Sequence, residues 1–178
     1  MAKWHAEAAG MKIRYVPAGI PDLLRTRELI DYEADISHRS REAQRDETQS
    51  RIDYNRLPQT DMEVCMPRHT LEIFARGLGV WSGLSQAARR RQLDHMATLL
   101  DDLYPGFRLY LYDGRQRYSV PYTIFGPYRV ALYVGDMYLV LNATELIGTF
   151  TRHFDNLIRA ADVHAHEVPA FARSLDVA

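Results

Sequence analysis

The chain has 178 residues, 47% hydrophobic and 25% charged, with a formal net charge of −1. That length suits one domain with a substantial core, and the even charge argues against a nucleic-acid-binding or membrane-surface field. One cysteine, Cys65, excludes an intrachain disulfide or a Cys-based zinc site, and no apolar run reaches the length of a membrane span.

The opening residues, MAKWHAEAAG, lack the apolar centre of a signal peptide, so a cytoplasmic, reducing setting is expected. KIRYV, residues 12–16, reads as a strand or extended arm ended by Pro17 and the Gly19-Ile20-Pro21 turn. Pro21 suits the first turn of a helix, where its missing N–H is not needed. That helix, PDLLRTRELIDYEADI, has only a loose stripe of Leu23, Leu24, Leu29, Ile30 and Ile36. Residues 40–57 contain no Gly or Pro and place opposite charges at helical spacing, such as Glu47 with Arg51. They predict an exposed or lobe helix with a thin apolar face of Ala43, Ile52, Tyr54 and Leu57.

Pro58 stops that helix. Residues 61–67 alternate Met62, Val64 and Met66 as a strand does. A short helix ending at Gly77 or Gly79 follows. Ser85 is a good cap for a helix over 85–104, striped by Leu93, Met96, Ala97, Leu100 and Leu103. Residues 107–142 then read as strands dense in Tyr and Phe. Strands 107–113 and 119–125 join at Asp113-Gly114; strands 128–134 and 137–142 join at Gly135-Asp136 in a tight hairpin. Thr144 is expected to cap a helix running to about residue 161, striped by Leu146, Ile147, Phe150, Phe154, Leu157 and Ile158. A last helix spans about 165–175, with Pro169 tolerable only in its first turn.

This order predicts an α+β fold: a mostly antiparallel sheet of four to six strands covered by helices. Residues 1–60 form an arm and helical lobe, and 61–178 the sheet core with its closing helices, all within one compact domain. Helices 85–104 and 144–161 are expected on the same, aliphatic, face of the sheet. The other face carries aromatic rings with polar tips. It predicts either a partner surface or a pocket for a small apolar or aromatic ligand, walled by Tyr110, Tyr112, Tyr122, Phe125 and Tyr133, with Arg108 or Arg129 anchoring an anion.

Catalytic signatures are missing. There is no GxSxG elbow, no P-loop and no GxGxxG, and Cys65 lies among apolar neighbours in a strand. His164-Ala165-His166-Glu167 is the best metal candidate, but it leads into a helix, where positions two apart point to different sides. His153 and His95 read as half-buried histidines beside carboxylates. Arg89-Arg90-Arg91 shares its helix with Asp94, Asp101 and Asp102, which weakens it as a nucleic-acid patch. No catalytic residue, metal or cofactor is expected.

The order of elements resembles the C-terminal domain that follows the helix-turn-helix of bacterial regulators of the xenobiotic-response-element type, especially in actinomycetes. That domain opens with a Glu, an Ala and an extended stretch leading into Pro-Gly-Leu-Leu-Gln-Thr. Here Glu7, Ala8, Ile13, Tyr15 and Pro17 precede Ile20-Pro21-Asp22-Leu23-Leu24-Arg25-Thr26. Asp22 and Arg25 replace the family's Gly and Gln, and Arg68-His69 stand where it carries an acidic pair. The resemblance implies a sensory or dimerising module of a transcriptional regulator, without enzyme activity. It would be a homodimer and reach DNA only through a helix-turn-helix not present in this chain. Two alternatives stand beside it. One is a stand-alone interaction adaptor. The other is a small hydrolase using His153, Asp155 or His164 and His166 with Arg108, which requires those groups to converge.

Overall fold

A computed structural model describes residues 2–8, 10–37, 41–135 and 137–178. In chain order these form α1 (Ala2–Glu7), β1 (Lys12–Val16), a 3-10 turn (Asp22–Leu24), α2 (Arg27–Ser37), α3 (Arg41–Asn55) and β2 (Asp61–Pro67). Then come α4 (Arg68–Ala75), α5 (Gln86–Leu103), β3 (Phe107–Tyr112), β4 (Tyr122–Phe125), β5 (Arg129–Tyr133) and β6 (Tyr138–Leu141). The chain ends with α6 (Thr144–Arg159), β7 (Ala161–Val163) and α7 (Val168–Ser174). Ser40 and Asp136, included in the expected helix 40–57 and the expected hairpin turn, lie outside the described residues.

The fold is α+β with a mostly antiparallel sheet. Its seven strands run in the order β6-β5-β4-β1-β2-β3-β7, with β1–β2 and β2–β3 parallel. With the 12–16 arm in the sheet the expected strands make six, and the three-residue β7 adds the seventh. Within residues 1–60, the 12–16 stretch is the sheet's central strand, β1. Residues 107–142 are not one continuous meander. β3 and β4 are separated by β2 and β1, and the chain between them crosses the sheet instead of closing a hairpin at Asp113-Gly114.

Local chemistry accounts for several boundaries. Ser85 accepts the Ala88 N–H at 3.2 Å and starts α5. The helix expected from Pro21 is broken, because Arg25 is extended and the Thr26 hydroxyl caps α2 by accepting the Leu29 N–H at 3.2 Å. Ala143, not Thr144, holds the cap position of α6, and no side chain bonds there. Pro169 lies in the first turn of α7, where its ring costs no hydrogen bond.

Strand alternation makes both faces of the sheet apolar, and each has its own cover. On the first face, Val64, Met66, Phe107, Leu109 and Leu111 pack with α4, α5 and α7 through Phe74, Leu93, Met96, Leu100 and Val168. On the second, Val16, Cys65, Tyr112, Tyr122, Ile124 and Val130 pack with Ile147, Phe154 and Leu157 of α6. Helices α5 and α6 thus cover opposite faces, not the same one. The aromatic face is no more open than the aliphatic one. Beyond α6, the second face is closed by charge. Lys12 and Arg14 approach Glu63 at 3.1 and 3.6 Å, and Arg108 bonds Asp61 at 2.5 Å and Glu63 at 3.0 Å. Glu63 is 7% exposed, a depth at which a carboxylate needs such partners.

Gln92 joins α5 to the start of α2. It is fully buried, accepts the Thr26 N–H at 2.7 Å and donates to the Leu24 carbonyl at 2.7 Å. Gln92→Leu leaves both backbone groups unpaired and is expected to cost about 2–4 kcal/mol in urea unfolding.

Candidate ligand-binding cavity

Helix α5 covers the β2–β3 side of the first face. The β1, β4, β5 and β6 side lies under α1, the 22–24 turn and α3. Gln44, Thr48 and Arg51 of α3 recur at helical spacing and line the space beneath, and Thr48 is 8% exposed. The inward side of α3 is therefore polar. It packs chiefly on α2 and the 22–24 turn, not closely on the sheet. Ala131 and Thr123 are small where a Leu would fill the gap. The result is a cavity of about 210 Å³.

The floor is Tyr15, Met62, Thr123 and Ala131, with Tyr133 and Tyr138 at the rim, where they are 39% and 40% exposed. Their rings stand 5.5 Å apart and tilted. His5 of α1 closes one side; its ring meets Phe125 edge-on at 5.1 Å. The wall is ionic. Asp22 lies between Arg25 at 2.9 Å and Arg51 at 2.5 Å. Arg25 also meets Glu33 at 3.0 Å and donates to the Ile20 carbonyl at 2.9 Å. Glu33 in turn accepts the Trp81 indole N–H at 3.0 Å. Two arginines thus face two carboxylates.

Tyr15 sits against this wall. Burial, and then the Asp22 carboxylate, push its phenol well above the ordinary range, while Arg51 and Arg25 pull the other way. It lines the cavity, and among the described residues no hydrogen bond to its hydroxyl is found.

The residues expected to form one aromatic wall are divided between the two faces. Tyr133 lines the cavity and so does part of Tyr122, but Tyr122 is 1% exposed and its hydroxyl donates toward the Phe150 carbonyl at 3.5 Å under α6. Tyr112 is buried beside it. Tyr110 is on the second face near His164, ring centres 6.4 Å apart. Phe125 is covered by Trp4 at 5.7 Å. The two expected anion anchors already have partners: Arg108 has Asp61 and Glu63, and Arg129 has Glu7 at 2.9 Å and the Trp4 ring at 5.6 Å. The sequence reading missed Tyr15, Asp22, Arg25, Thr48 and Arg51. The polar i, i+4, i+7 row on α3 gives no signal of its own, because most of the rest of that helix is polar as well.

None of His153, Asp155, His164 or His166 lines the cavity. His153 Nε2 is 3.2 Å from the Ser119 hydroxyl, and Asp155 is 3.7 Å from Arg14. Among the described residues no group of three or more His, Cys, Asp or Glu is placed to hold a metal ion. The Cys65 thiol is fully buried, and that burial pushes its pKa up. No helix among the described residues is long and apolar enough to cross a membrane. No family model, curated protein or solved structure matches the chain.

Tyr15 and Tyr122 are raised above the phenol value of 10.0, and Tyr112 is pushed up to about 12, all mainly by burial. The folded state therefore holds these protons. Their contribution to stability should be constant below pH 10 and be lost as pH rises beyond it. Urea midpoints measured from pH 8 upward should show that loss as a fall, and Tyr15→Phe should make it shallower.

Proposed function

We propose that this chain is the regulatory, effector-binding and dimerising domain of a bacterial transcriptional regulator, cytoplasmic and without catalysis of its own. DNA would be reached only through a helix-turn-helix outside these residues. The observation that carries this reading is a shared hairpin. The β5–β6 pair gives Tyr133 and Tyr138 to the cavity rim and also presents the sheet's β6 edge. It is tied to α1 through Trp4, whose ring meets Tyr138 at 6.3 Å, and through the Arg129–Glu7 pair. A molecule in the cavity thus touches both the edge strand and the N-terminal helix. By the resemblance, that helix lies next to the DNA-binding half.

The β6 edge suits dimerisation. Residues 137–141, MYLVL, carry no charge, and Leu139 is 51% exposed. Proteins often blunt an edge with charged side chains or Pro. Both edge strands are short, but only β7 carries a charge, Asp162, bonded to Arg68 at 3.2 Å. Two β6 strands paired antiparallel about a twofold axis would form one isologous interface. The same edge favours a second reading, an adaptor that takes a strand from another protein.

Sedimentation equilibrium should find a dimer, and Leu139→Lys should weaken it by at least about tenfold by setting a cation in each apolar edge. Joined behind a helix-turn-helix whose operator binding requires pairing, residues 1–178 should raise operator affinity. A fusion binding no better than the isolated helix-turn-helix would overturn the regulatory reading, and a monomer that captures a foreign strand would favour the adaptor.

A further inference from the structure

The cavity's own dimensions and charges narrow what it takes, given the reading of it as an effector site. A protein cavity of about 150 Å³ accommodates benzene. At about 210 Å³ this one admits a single ring with one or two small substituents. The ring has natural neighbours: Tyr133 and Tyr138 at the mouth, Met62, Ile30 and Ala131 deeper in.

Charge argues against an ionised ligand. An anion would have to compete with Asp22 for Arg25 and Arg51, at 2.9 and 2.5 Å, and with Glu33 for Arg25, at 3.0 Å. A cation would find the Asp22 carboxylate already held by two guanidiniums. Placing a charge there without a counter-ion is costly, whereas a neutral group leaves the balanced wall intact.

The hydrogen-bonding side is set by Tyr15. Its phenol stays protonated, and no hydrogen bond reaches the hydroxyl among the described residues, so it offers a donor to an incoming acceptor. Thr48 is engaged, donating to the Asp22 carbonyl at 3.3 Å.

We propose that the cavity binds an uncharged one-ring aromatic molecule bearing a carbonyl-type oxygen, with the ring between the rim tyrosines and the oxygen accepting from the Tyr15 hydroxyl. Benzamide and benzoate are nearly the same size and shape but differ in charge, so they separate this proposal from an anion site. Calorimetric titration of the purified protein should show benzamide binding at least about tenfold tighter than benzoate. Methyl resonances of Met62 and Ala131 should shift on benzamide addition. Tyr15→Phe keeps the ring and should weaken benzamide by about threefold to tenfold, the worth of one hydrogen bond. Benzoate binding as tightly as benzamide, no benzamide binding at all, or an unchanged affinity in Tyr15→Phe would each overturn the proposal. Benzamide that binds as described but leaves the operator affinity of the fusion unchanged would support the ligand class while removing the regulatory reading.

Discussion

Strand β1 is hydrogen-bonded along both sides, antiparallel to β4 and parallel to β2. Five residues from near the start of the chain therefore join the two halves of the sheet, one built from residues 61–112 and 161–163, the other from 122–141. The pairing is non-local, and its loop-closure cost is offset by burial on both faces: Ile13 and Val16 are each 1% exposed. Charges reinforce the register. Lys12 lies opposite Asp61 and Arg14 opposite Glu63, so a slip by one residue would turn both cations into the first-face core.

From that centre the two faces diverge in what covers them. On the second, α6 brings an aliphatic stripe, and the sheet answers with Tyr112, Tyr122 and Ile124. On the first, α5 does the same for β2 and β3. The remaining quarter is roofed by α3, whose inward residues are Gln44, Thr48 and Arg51 instead of leucines. A polar roof cannot close dry on a sheet, and its Arg51, and Arg25 beside the 22–24 turn, need carboxylates within reach. Asp22 and Glu33 supply them from the turn and from α2. The cavity is what remains when that ionic lattice is satisfied before the apolar contacts are.

Much of the fold was readable from local pattern. The α5 stripe, its Ser85 cap, the alternation of 61–67 and the turn-rich strands of 107–142 all depend on neighbours in sequence, and each stands near its expected bounds. What was not readable depends on distant partners. Nothing within KIRYV states that it lies between residues 61–67 and 122–125. Nor can a sheet apolar on both faces say which helix takes which face, so pattern alone puts α5 and α6 together and leaves the tyrosines open. The polar row of α3 reads as solvated, because Gln, Thr and Arg look alike in sequence whether they meet water or an internal ion pair. Tyr133 could be picked out as a strand aromatic. Tyr15 was visible only as part of the arm.

The chain has two tryptophans, and each touches a different end of the cavity's framework. Trp4 leans on the rim ring of Tyr138, and Trp81 donates to Glu33, from which hydrogen bonds and ion pairs run through Arg25 and Asp22 to Arg51. Indole emission responds to the charge and polarity around its ring. The protein therefore carries two intrinsic fluorophores, one tuned to the mouth and one to the wall, and the state of the interior can be followed as light without attaching any label.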